Sequence, residues 1–188
     1  MDRNLGASQV ATAHDDVDAY GDLFQWGRAA DGHQVIEWTS STDGNLTDTT
    51  ETLAGTDTPG HGDFILAPDS PWDWRDPKND NMWEEDGTGI NNPCPDGWRV
   101  PTEDELDNER ASWGTQDRAG AFGSDLKWTA AGYRSWSSGS LEVVGSSGLC
   151  WSSSVSGFGA GSLDFGSSNA SMGSNLRAGG FSVRCLRD

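Results

Sequence analysis

Apolar residues come in short bursts separated by long polar stretches, a pattern of short strands joined by loops. Leu23-Phe24-Gln25-Trp26-Gly27-Arg28 is the first dense patch and Val35-Ile36-Glu37-Trp38 the second. Both have strand length, although the pattern alone leaves a short helix open around Tyr20–Trp26. From Thr39 to Gly62 the chain is rich in Thr, Asp and Gly with isolated apolar residues, which predicts a long loop. Phe64-Ile65-Leu66 is a further short run. In Ser70-Pro71-Trp72-Asp73-Trp74 the alternation places both indoles on one face of an extended strand. Asn91-Asn92-Pro93-Cys94-Pro95-Asp96-Gly97 is a turn cluster whose prolines bar a regular helix.

One helix is plainly written. Thr102 and Glu105 form a capping box, and Glu103, Asp104 and Glu105 suit the positive end of the helix dipole. The helix is predicted to run to about Ser112 or Trp113, with Leu106 and Trp113 on one face. After Lys127 strand patterns resume. Tyr133-Arg134-Ser135-Trp136 and Leu141-Glu142-Val143-Val144 flank Ser138-Gly139 as a hairpin. Leu149-Cys150-Trp151, Leu163-Asp164-Phe165 and Phe181-Ser182-Val183-Arg184-Cys185-Leu186 are further short strands. No solenoid-type repeat is present. The fold class is α+β, with short antiparallel strands, few helices and many long loops.

Composition sharpens this picture. The 188 residues suit a single domain, 1–188, able to bury roughly 70% of its unfolded surface. Only 34% are hydrophobic, yet ten are tryptophans, each able to bury about 150–250 Å². The 25 glycines point to turns around an aromatic core. A net charge of -18 argues against nucleic acid or an anionic membrane as partner. No apolar run approaches the ~20 residues of a membrane span, and no signal peptide opens the chain. The opening residues read as strand or loop, as in a piece of a longer protein. That leaves localisation open, a cell or virion surface included, and the sequence sets no oligomeric state.

Candidate chemistry is sparse. His14, His33 and His61 have no histidine partner at i+4, and no histidine follows His61 to activate the serines beyond it. No nucleophile elbow, phosphate loop or dinucleotide fingerprint occurs. Asp15-Asp16-Val17-Asp18 and Glu84-Glu85-Asp86-Gly87 lack EF-hand spacing. They read as solvated loops, with structural calcium as the sharper alternative, and no cofactor is expected. Cys94, Cys150 and Cys185 allow at most one bridge and one leftover thiol, or three buried thiols.

The segment from Trp151 to Phe181 stands apart. Between these two, only Asp164 and Arg177 are charged, and small residues are interrupted by Phe158, Leu163, Phe165, Met172 and Leu176. A Gly/Ser linker is the plain alternative. Strand-like sequence resumes at Phe181, which favours a compact β-rich surface with serines bonded to backbone.

A series of ordered motifs spans nearly the whole chain. It comprises Met1-Asp2-Arg3-Asn4-Leu5-Gly6, Tyr20-Gly21-Asp22-Leu23-Phe24-Gln25-Trp26-Gly27-Arg28, Asp57-Thr58-Pro59-Gly60-His61-Gly62-Asp63-Phe64 and Asn92-Pro93-Cys94-Pro95-Asp96-Gly97-Trp98-Arg99-Val100-Pro101-Thr102. Ala131-Gly132-Tyr133-Arg134, Trp151-Ser152-Ser153 and Gly180-Phe181-Ser182-Val183-Arg184-Cys185 complete it. Together they resemble the Fibrobacter major paralogous domain, a branch of the C-type-lectin-like fold, and the variable proteins of diversity-generating retroelements. The resemblance implies a non-enzymatic protein whose segment of about 151–181 displays altered residues to a protein or other macromolecular ligand. It implies varied positions at Phe158, Gly159, Gly161, Ser162, Asp164, Gly166, Gly173, Ser174, Leu176 and Gly179, all residue types reachable by changing the adenines of an asparagine codon. These are expected to be exposed and clustered on one side, while Trp151, Phe165, Met172, Arg177, Phe181 and Val183 are fixed frame. It also implies that Cys94 lies close to Cys185, that Cys150 is a lone buried thiol, and that a strand at Arg3–Leu5 lies beside Val183–Leu186.

Two relatives differ. Formylglycine-generating enzymes share the broader fold but use two cysteines close in sequence, whereas these three are far apart. Sugar-binding C-type lectins use Glu-Pro-Asn or Gln-Pro-Asp with calcium, which Asp76-Pro77-Lys78 and Ala67-Pro68-Asp69 do not match. An undiversified surface or structural domain of the same family is the runner-up.

Overall fold

Tryptophans do the work that long aliphatic strands do in other β-rich proteins, so most strands are only two to five residues long. The computed structural model describes residues 1–187. After a 3-10 turn at Val17–Ala19 come β1 (Phe24–Gln25), β2 (Ile36–Ser40), β3 (Asp43–Leu46), β4 (Thr49–Thr50) and β5 (Phe64–Ile65). Then follow α1 (Glu103–Ala111), α2 (Arg118–Gly123), β6 (Tyr133–Arg134), β7 (Leu141–Glu142), β8 (Gly148–Ser156), β9 (Gly159–Phe165), β10 (Ala170–Asn175) and β11 (Gly180–Phe181). One sheet has the order β1-β11-β6-β7 and another β10-β9-β8; β2-β3 and β4-β5 are two-stranded. All named ladders are antiparallel except β4-β5. Two α-helices and many short antiparallel strands make the chain α+β.

The capping box forms as predicted. Thr102 Oγ1 accepts from Glu105 N, and the Glu105 side chain accepts from Thr102 N. Arg99 also donates to both Glu105 oxygens at 2.7 Å, which holds that carboxyl down at about 2. The hairpin around Ser138-Gly139 is present as β6-β7.

The first apolar patch holds strand β1, in keeping with its strand length, and the helix left open over Tyr20–Trp26 does not form. Other expectations are corrected. The predicted loop after Thr39 contains the rest of β2, all of β3 and β4. These strands lie near the surface and are largely polar, so they carry no hydrophobic alternation to read. Trp72 and Trp74 do not share a face. Trp72 has φ 57, which breaks the alternation, leaving its ring exposed while Trp74 is fully buried. Helix α2 and strand β10 were not foreseen. Asp117 caps α2 by accepting from Gly120 N, and the edge of β9 templates β10.

Buried indoles link the elements through carbonyls. Trp26 Nε1 donates to Ser152 O, Trp74 Nε1 to Trp26 O, Trp151 Nε1 to Phe24 O and Trp83 Nε1 to Asn91 O, all at 2.7–2.9 Å. Each ring thus buries a large apolar area without stranding its polar atom. The Trp151 ring stacks on Phe181 at 4.1 Å between centroids. A second cluster joins Leu106 of α1 and Trp113, which lies two residues past the end of the helix, to Trp128, Leu163 and Phe165. There Glu109 Oε1 accepts from both Trp113 Nε1 and Trp128 Nε1, at 3.0 and 3.1 Å.

Cys94 and Cys185 are bonded, with Cα atoms 5.9 Å apart, and Cys150 is free and buried. Arg3–Leu5 forms no ladder strand, yet it runs beside the C-terminal segment: Leu5 N donates to Val183 O at 2.9 Å and the Met1 amine to Cys185 O at 2.6 Å.

Truncating this frame should be costly. Trp151→Ala and Phe181→Ala are each expected to lose roughly 3–5 kcal/mol in denaturant unfolding. A loss below about 1 kcal/mol for both would show that the stacked pair does not hold the core.

Candidate functional site

The C-terminal sheet is built around β9. Its register places Trp151 opposite Ser162 and Val155 opposite Ala160, so β8 carries extra residues between them. On the other side Met172 faces Leu163 and Ser174 faces Gly161. Strand alternation sends Leu163 and Phe165 into the cluster with α1 and turns Ser162 and Asp164 the other way. The β8-β9 connection is Gly157-Phe158, where Gly157 takes φ 57 and so closes the turn without side-chain strain.

The ten positions implied by the resemblance divide sharply. Phe158 is 75% exposed, Ser174 is exposed, and Asp164, Gly166, Gly173 and Leu176 are half-buried. Gly159, Gly161, Ser162 and Gly179 are buried, which corrects the expectation that all ten face solvent. Clustering on one side is corrected too: Gly161 and Ser174 share the α1 face of the sheet, while Ser162, Asp164 and Gly173 share the other.

The packing gives the reasons. A Cβ at Gly159 would lie 2.1 Å from Asn175 O, a backbone atom. At Gly161 it would meet Glu103 Oε2 and Ser152 Oγ at 2.7 Å, and at Gly179 it would meet the Phe181 ring at 3.1 Å. Ser162 Oγ donates to Asp164 Oδ1 at 2.7 Å and accepts from Asn175 Nδ2 at 2.8 Å. Asn175 Nδ2 also donates to Asp164 Oδ2, and burial raises the Asp164 carboxyl above its ordinary value. Of the frame residues, Trp151, Phe165, Arg177, Phe181 and Val183 are buried and Met172 is half-buried.

The β8-β9 tip is held by its backbone. Lys78 Nζ donates to Phe158 O, and Arg177 Nε donates to Gly159 O at 3.1 Å. Arg177 stacks over Trp26 at 4.3 Å, donates to Asp80 Oδ1 at 2.6 Å and lies 3.6 Å from Asp73 Oδ2. Asp73 is fully buried and its Oδ2 accepts no hydrogen bond; burial raises its carboxyl to about 6. Trp72 and Lys78, which touch Phe158, lie far from it in sequence. A left-handed tryptophan leaves no mark in hydropathy, so sequence reasoning had no signal for this contact.

Several other chemistry-bearing residues are engaged in structure. His33 is buried; its Nε2 accepts from Gln25 N at 3.0 Å and its Nδ1 donates to Asp31 Oδ1 at 2.7 Å. Burial lowers its pKa to about 4. Burial pushes the Cys150 thiol up to about 12, away from the reactive thiolate. Asp16, in the first acidic run, accepts from Thr12 and Gln9. Among the described residues no three His, Cys, Asp or Glu side chains converge as a metal site, and no helix is long and apolar enough to cross a membrane.

No protein-family model, curated protein or solved structure matches this chain.

Two measurements follow. Gly159→Ala should cost about 1–3 kcal/mol in unfolding free energy, against about 0.5 kcal/mol or less for Phe158→Ala; the reverse order would refute the division into packed and displayed positions. His33 should contribute stability that is full above its unfolded pKa near 6.5 and fades as pH falls toward about 4. The advantage of wild type over His33→Gln should therefore narrow by about 2 kcal/mol between about pH 7 and pH 5. A constant difference would mean that His33 titrates normally when folded.

Proposed function

We propose that this chain is a non-enzymatic ligand-binding domain of the C-type-lectin-like fold, whose β8–β10 region displays side chains diversified by a retroelement. The ligand is a protein or another macromolecule. One observation carries this reading. The β8-β9 tip is anchored through the carbonyls of Phe158 and Gly159, while the Phe158 ring itself is 75% exposed. A scaffold that must accept many side chains at one position needs this separation between what holds the loop and what the loop presents. The resemblance of the motif series supports the fold assignment, as do the two helices, the short antiparallel strands and the adjacent chain ends. A non-enzymatic reading also fits the cysteines, two of them bonded to each other and the third buried with its proton retained.

Display then falls mainly on Phe158 and Ser174 at the surface, with Asp164, Gly166, Gly173 and Leu176 partly accessible. The packed state of Gly159, Gly161, Ser162 and Gly179 favours the second reading, an undiversified binding or structural domain of the same family. Genomic context separates the two. The first requires a near-identical template repeat and a reverse transcriptase beside the gene. Differences between template and gene should be adenine-linked, fall on the six accessible positions and spare Trp151, Phe165 and Phe181. Lack of such a repeat, or differences scattered through β1 and α1, would leave the undiversified reading.

A further inference from the structure

The loop before α1 holds an exposed aromatic in a backbone conformation that aromatics avoid. Trp72 has φ 57, and its ring remains 36% exposed. A bulky side chain in the left-handed region is an outlier that surrounding structure must impose. Here Trp72 N donates to Asp69 O at 2.9 Å and its carbonyl accepts from Ala178 N at 3.3 Å. Core burial does not account for the strain, since Trp74 fills that role two residues on. The conformation does bring the Trp72 ring to Phe158, with centroids 6.5 Å apart and planes at 76°. Two nearly perpendicular rings make an open apolar corner on the surface, and Val155 on β8 is 42% exposed nearby in the same hairpin.

Two cations lie at the corner: the Arg177 side chain is turned inward and 1% exposed, while the Lys78 ammonium donates to Phe158 O and sits 5.4 Å from the centroid of the Phe158 ring. Carboxylates face out. The Asp80 side chain is 62% exposed while bonded to Arg177, and exposed Glu85 accepts from Ser154 Oγ at 2.9 Å. Lys78 apart, the charged groups facing out around the corner are carboxylates, in a protein of net charge -18. Aromatic anchors within a charged rim are the usual anatomy of a protein-binding hot spot, with the rim steering encounter.

We infer that Trp72 and Phe158 together form the hot spot for a protein partner, a corner that receives one apolar side chain from a segment flanked by lysine or arginine. This rests on the reading of the β8-β9 tip as the binding face, and it adds a fixed half to a site whose other half is displayed. Trp72 lies outside the diversified segment, so every displayed variant would keep one aromatic wall.

The test uses the full chain on an array of immobilised, fully randomised pentapeptides at low ionic strength. Wild type should enrich peptides with a central large apolar residue and flanking Lys or Arg, and the basic preference should fade in about 0.5 M NaCl. Trp72→Gly keeps the left-handed backbone without strain, so it should retain or raise Tm while enrichment drops about tenfold. Phe158→Ser should lower enrichment similarly at unchanged Tm. No enrichment, enrichment of acidic peptides, or a Trp72→Gly protein that unfolds would overturn the inference. Loss with Phe158→Ser alone would overturn the shared corner but keep the tip as the binding face. Loss with Trp72→Gly alone would overturn both.

Discussion

The stacked pair of Trp151 and Phe181 is the contact on which the other elements depend. Trp151 sits on β8 and Phe181 on β11, and the indole N–H reaches Phe24 O on β1. Backbone bonds from Trp151 N to Ser182 O and from Ser182 N to Leu149 O run alongside the stack. Two sheets are therefore joined at one place by ring contact, indole hydrogen bond and backbone pairing. The neighbouring residue Cys150 faces the opposite way, into the cluster under α1. Consecutive residues of one strand thus serve two cores, and displacing β8 would disturb both.

Buried arginines complete what the rings begin. Arg134 lies over Phe64, Arg177 over Trp26 and Arg184 over Trp128, each 4.2–4.3 Å from a ring centroid. Burial lowers Arg134 and Arg184 to about 10, so both remain charged at neutral pH. Their N–H groups are directed at carbonyls and amides: Arg134 at Thr47 and Gly139, Arg184 at Asn4 and Leu126. A guanidinium can stack and donate in its own plane at once, which an aliphatic residue of similar bulk does not do. In a protein poor in aliphatic residues, these cations fill space and tie loops to the core together.

Where local chemistry decides the outcome, the sequence was readable. Thr102 and Glu105 announce the start of α1, and Ser138-Gly139 announces the β6-β7 turn, because caps and turns depend on residues a few positions apart. Strands β3 and β10 were not readable, since neither carries an apolar alternation and each exists because a neighbour offers an edge. The candidate site fared in the same way. Exposure of Phe158 and burial of Trp151 and Phe181 followed from the motif frame. Burial of Gly159 and Gly161 depends on Asn175 and Glu103, which are distant in sequence and close only in the fold.

That division bears on how much variation one scaffold can carry. A varied position is neutral only where the new atoms enter solvent. Phe158 meets this condition, and Ser174 meets it on the adjacent strand, where its hydroxyl donates to Ser156 O on β8. Gly159 does not, because its missing Cβ makes room for a backbone carbonyl that is not free to withdraw. Gly161 is intermediate: its closest neighbours are the end of the Glu103 side chain, which can rotate away, and Ser152 Oγ, which is bound to Gly161 O at 2.8 Å. Diversification that reached the packed glycines would draw on the stability of the stacked core rather than on the surface. On the proposed reading, the repertoire open to this fold is narrower than the number of small residues between Trp151 and Phe181, and it is widest at the tip, where the hydrogen bonds that hold the loop fall on its backbone.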